Sequence, residues 1–148
     1  MEKDNHPVNG EIKMRFSIGY RQDGDGSFME TVREFRTEVA EVYFPWAGQP
    51  SGRSPIGSDG RSKASVQRML EEDLQEISGM GISLNILFNA NCYGAEGMSR
   101  RLEKETCRII DRALETAPVA SATTTSPAIA HVIRKHFPEI ETRSSVNM

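Results

Sequence analysis

The chain has 148 residues, enough to bury one core, and its 37% hydrophobic and 26% charged residues are the balance of an ordinary globular domain. A net charge of -3 gives no electrostatic reason to expect nucleic acid or an anionic membrane as partner. No apolar run is long enough for a bilayer, Met1 to Gly10 lacks the apolar segment of a secretory signal, and two cysteines, Cys92 and Cys107, make no disulfide framework, so a cytoplasmic location with free thiols is expected.

Residues 1–10 read as a flexible lead-in, and residues 11–148 as one domain. Lys13 to Tyr20 gives a short strand. After a Gly/Asp loop, Ser27 precedes Glu30 at the spacing of a capping box, and Phe28, Val32, Phe35 and Val39 recur at helical spacing, which predicts a helix from Ser27 to Val39. Glu41 to Phe44 is the second strand, closed by Pro45. The stretch from Ala47 to Lys63, rich in Gly, Pro and Ser, reads as a long loop. Ser65 to Ser78 is a second helix with Val66, Leu70, Leu74 and Ile77 on one face, stopped by Gly79 and Gly81.

Ile82 to Phe88 is the clearest strand, apolar on both faces as in a parallel sheet covered by helices. A third helix runs from Ser99 to Thr116. Val119 to Thr125 is a weaker strand. Ser126 and Pro127 then open a fourth helix as N-cap and first helical residue, and Pro138 closes it. Glu139 to Asn147 is the fifth strand.

Strict alternation of strand and helix implies a parallel sheet with right-handed crossovers. Two α/β solutions fit: a partial TIM-type (β/α) barrel of about five strands and four helices, or a flavodoxin-like doubly wound sheet. The fifth strand carries no covering helix, so the chain reads as a barrel truncated at its C-terminus. Gly24-Asp25-Gly26 is too short for a dinucleotide fingerprint.

Three segments carry a resemblance. They are AEVYFPWAGQPSGR from Ala40 to Arg53, SLNILFNANCYG from Ser83 to Gly94, and AIAHVIRKHFPEIETRSSVNM from Ala128 to Met148, with its HFPE turn and its Ser145-Val146-Asn147 end. In their order and spacing they resemble the N-terminal part of the collagenase-like peptidase family, the peptidases of unassigned mechanism, family thirty-two. The resemblance implies a (β/α) barrel and a protease or other hydrolase. Alternatively it implies an accessory protein of nucleobase or quinone hydroxylation that binds a small carboxylate ligand and is inactive alone. Some members hold an iron–sulfur cluster through four cysteines. This chain has two, so no cofactor is expected within it unless cysteines follow Met148. Where many members carry Asp-Pro, this chain has Ser126-Pro127.

Barrel sites lie at the C-terminal ends of the strands. That rule points to Tyr20, Trp46 and Arg53 after the first two strands, and to Asn89, Asn91 and Tyr93 after the third. After the fourth and fifth it points to Thr124, Ser126, Ser145 and Asn147. The expected ligand set is Arg53, Asn89, Asn91, Tyr93, Thr124, Ser145 and Asn147, binding a peptide or small carboxylate, with Arg53 as the anion contact. No catalytic residue is assigned. Cys92 and Cys107 read as packing, Ser126 as a helix cap. His131 and His136 are five apart on one helix, which is not a ligand pair, so no metal site is expected. Exposed sheet edges suggest self-association.

Overall fold

The computed structural model describes residues 14–51, 55–57, 59–90 and 93–145. Five strands alternate with four helices: β1 (Phe16–Gly19), α1 (Ser27–Glu34), β2 (Val39–Pro45), α2 (Lys63–Gly79), β3 (Ser83–Phe88), α3 (Arg100–Thr116), β4 (Ser121–Thr124), α4 (Pro127–His136) and β5 (Glu141–Ser144). A single 3-10 turn, Gly94–Glu96, precedes α3.

All four strand pairings are parallel, and the order across the sheet is β1-β2-β3-β4-β5. This is sequential winding, in which each strand is added to the same edge. A flavodoxin-type sheet reverses direction once and has the order 2-1-3-4-5. Crossovers of one hand, always to the next strand, place every helix on one face. The sheet is therefore an arc of a (β/α) barrel.

The register divides the strand residues by parity. Ile18, Val42 and Leu84 lie in line, and Phe44, Ile86 and Ala122 line up one step along. These even-numbered residues join Leu70, Leu74 and Ile77 of α2, Ile109, Ile110 and Ala113 of α3, and Ile129 and Ile133 of α4 in one core. Burial of that set against a single sheet face is what holds the arc together, at about 25 cal/mol per Å² of apolar surface removed from water.

Helix ends follow local chemistry. Ser126 Oγ accepts from the Ile129 N–H, with Pro127 as the first helical residue, and Ser99 Oγ accepts from Leu102. Ser62 caps α2 through the Ser65 N–H, so the helix starts at Lys63, two residues before the expected start. The first helix differs from expectation. Its N-cap is Gly26, in the left-handed region at φ 75°, while Ser27 lies inside the helix and donates its hydroxyl to Asp23. The helix also ends at Glu34, with Phe35 leaving helical geometry, and Val39 opens β2 instead of closing α1. Val39 matched the helical period only by its distance from Phe35. The turn at residues 35–38 breaks that period, and the Val39 N–H is taken by the Phe35 carbonyl. The fifth strand is shorter than expected, Glu141–Ser144.

Candidate binding face

The odd-numbered strand residues form the other face, away from the helices. Ser17, Glu41, Tyr43, Asn85, Ser121, Thr123, Glu141 and Arg143 lie on it by register, with Leu87 the aliphatic member. Every strand contributes a polar side chain to this face.

These side chains are joined. Glu41 Oε1 accepts from Ser17 Oγ at 2.9 Å and from Asn85 Nδ2 at 3.3 Å. Asn85 Oδ1 accepts from the Thr123 hydroxyl at 3.0 Å. Arg143 Nη1 donates to Glu41 Oε2 at 2.6 Å, and Nη2 donates to Glu141 at 2.9 Å. Strands β2 and β5 are three spacings apart, about 14 Å in a flat sheet. For Glu41 and Arg143 to touch, both side chains must reach inward across β3 and β4, and the sheet must curl toward them. The face is concave.

Burial alone would raise the Glu41 carboxyl. The hydrogen bonds from Arg143, Ser17 and Asn85 outweigh it and hold the group below its ordinary value of 4.5. The Glu141 carboxylate, opposed by partial burial and aided by Glu41, raises the Arg143 guanidinium further. Glu41 is thus a fixed anion and a weak base. Its contact with Ser17 does not activate that hydroxyl, because a nucleophile needs a base poised near the working pH.

Tyr43 adds an aromatic wall. A Cβ on Gly19 would stand 2.7 Å from Tyr43 Cε2, so glycine at this position lets the ring lie across β1. Ser121 Oγ, fully enclosed on the same face, has no hydrogen-bond partner among the described residues.

The strand-end residues expected from sequence divide by the same parity. Ser145 and Asn89 continue the odd-numbered rows beyond β5 and β3. Thr124 is on the even-numbered, helix side and buried. Its hydroxyl donates to the Phe88 carbonyl and accepts from the Ser126 N–H. Tyr93 donates its hydroxyl to the Phe88 carbonyl at 2.8 Å, and burial raises its pKa. Tyr20 and Trp46 are buried in the core, with the Tyr20 hydroxyl donating to Asp73 at 2.6 Å. Arg53, Asn91, Cys92 and Asn147 lie outside the described residues. Glu41, Asn85, Thr123 and Arg143, which form the network, were not singled out in the sequence.

A groove of about 880 Å³ lies elsewhere, on the outer surface of α2 and α3. Two of its arginines are engaged by carboxylates, Arg112 by Glu71 at 2.9 Å and Arg108 by Glu105 at 2.7 Å. Among the described residues no three His, Cys, Asp or Glu side chains converge as metal ligands, and no helix is long and apolar enough to cross a membrane. No family model, curated protein or solved structure matches the chain.

Proposed function

We propose that the concave face binds a short peptide with free termini, in a protein of the collagenase-like peptidase kind. The ammonium of the peptide lies by Glu41 and the Tyr43 ring, and its carboxylate pairs with Arg143. The observation that carries this reading is the Glu41–Arg143 ion pair, held across β3 and β4 by Ser17 and Asn85. Glu41, Glu141 and Arg143 together carry one net negative charge. A lone carboxylate would meet that charge unfavourably, whereas a zwitterion offers one sign to each partner. Arg143 is 39% exposed and keeps further N–H groups for a planar acceptor. The resemblance adds the expectation of peptide hydrolysis, but the weak base at Glu41 assigns no residue to that step.

Calorimetric titration with dialanine, its N-acetyl form and its C-terminal amide tests the reading. Each cap should weaken binding at least about tenfold, or about 1.4 kcal/mol. Glu41→Gln should abolish the preference for a free amine, and Arg143→Gln the preference for a free carboxylate. Equal binding of all three forms, or none of any, refutes the proposal. Tighter binding of an aromatic monocarboxylate than of dialanine would favour the accessory role in nucleobase or quinone hydroxylation.

A further inference from the structure

We propose that two copies of the chain associate about a twofold axis through antiparallel pairing of their β5 strands, centred on Thr142. The proposal is independent of the peptide reading, and four features of β5 converge on it.

The first is backbone direction. Among the described residues β5 pairs with β4 alone, on one side. The Glu141 N–H donates to the Ala120 carbonyl and the Ser145 N–H to the Thr124 carbonyl, so the odd-numbered residues face β4. The backbone groups of Thr142 and Ser144 therefore point outward from the sheet edge. In an antiparallel pair, hydrogen-bonded positions exchange both N–H···O bonds. A twofold through Thr142 makes Thr142 such a position opposite its own copy, and sets Ser144 opposite Ile140 as the next.

The second is charge. The same register puts Glu141 directly across from Arg143 of the other copy, twice, at the close non-hydrogen-bonded positions. Moving the axis to Ser144 would set Arg143 against Ser145 and lose both pairs.

The third is an orphaned hydroxyl. Thr142 Oγ1 is buried with no hydrogen-bond partner among the described residues. Such groups are uncommon in folded proteins. Rotation about χ1 would bring it to the strand edge, where at the twofold it meets Thr142 Oγ1 of the second copy and each can donate to or accept from the other.

The fourth is the space beside α4. A groove of about 600 Å³ runs along the edge of β5 on the helix side, lined by Pro127, Ala130, Arg134, Thr142 and Ser144 among others. Helix α4 packs on both β4 and β5. Across the twofold the two α4 helices would lie two strand spacings apart, about 9.6 Å, and packed helices stand 8–10 Å apart. The small side chain of Ala130 leaves room for that approach. Strand pairing and helix packing together supply the interface that four paired residues alone would not.

Sedimentation equilibrium of the full chain, without ligand, tests this. A reversible dimer is expected at tens of micromolar. Glu141→Arg sets arginine against Arg143 of the other copy and should weaken the dimer at least about tenfold. Because Glu141 is mostly exposed, that change should leave the fold intact. Thr142→Pro removes an outward N–H that the sheet itself does not use and should yield monomer. Circular dichroism of both variants checks that they fold. A wild-type chain that stays monomeric at several hundred micromolar overturns the proposal. So does a dimer that neither substitution weakens.

Discussion

A double-mutant cycle on Glu41 and Arg143 should give a coupling of about 1.5 kcal/mol at pH 7. The magnitude follows from exposure. Glu41 is 14% exposed and Arg143 39%. Fully exposed pairs couple by about 0.2–1 kcal/mol, and breaking a fully buried pair costs about 3–5 kcal/mol. This pair lies between, nearer the exposed end because water reaches the guanidinium. Glu141, at 64% exposure, bonds the same arginine, and its coupling should be clearly the smaller of the two because solvent screens it. Urea denaturation of Glu41→Ala, Arg143→Ala, Glu141→Ala and the two double variants, at concentrations where the chain is monomeric, measures both. The pH dependence adds a sign. The folded Glu41 pKa lies below 4.5, so its contribution is present above that value and is lost as pH falls through the folded value. The Glu41→Gln variant should lack that part of the acid loss. Equal couplings for Glu41 and Glu141, or an unchanged acid profile in Glu41→Gln, would refute the reasoning.

Ile86 is fully buried, and Ile86→Ala should cost about 3–4 kcal/mol in urea denaturation by leaving a cavity in the core between the sheet and the helices. Gly19→Ala should displace the Tyr43 ring and weaken peptide binding in calorimetry more than it lowers the melting temperature. Burial, against the Tyr20 hydrogen bond, raises the Asp73 carboxyl, so its stabilisation is present below its ordinary value of 3.8 and is lost as pH rises through the folded pKa. Asp73→Asn keeps an acceptor for Tyr20, and thermal melts should show it gaining on the wild type between pH 3 and pH 7. Ser126→Ala should cost about 1 kcal/mol through loss of the α4 cap, measured by urea denaturation.

The strand–helix alternation, the cap at Ser126, and the apolar faces of α2 and α4 were legible because each rests on local spacing. Strand order was not. Both sequential and doubly wound sheets satisfy the same alternation, and what separates them is that β3 pairs laterally with β2 and not with β1. The concave network was also hidden, for a different reason. Glu41 and Arg143 are 102 residues apart, and neither stands at a strand end, where the barrel rule directs attention. The signal that could have found them is parity. Asn85 sits between Leu84 and Ile86, Glu41 precedes Val42, and a polar residue of odd number recurs in every strand. The same parity explains why Thr124, one residue from the odd-numbered row, belongs to the helix side and spends its hydroxyl on the backbone.

The measurement that bears most directly on the account is amide chemical-shift mapping of the chain titrated with dialanine. Shifts confined to Ser17, Glu41, Tyr43, Asn85, Thr123 and Arg143, and needing at least about tenfold more dialanine in Arg143→Gln, are the predicted result. Shifts clustered instead along the outer surfaces of α2 and α3, with the odd-numbered strand residues unmoved, would contradict it.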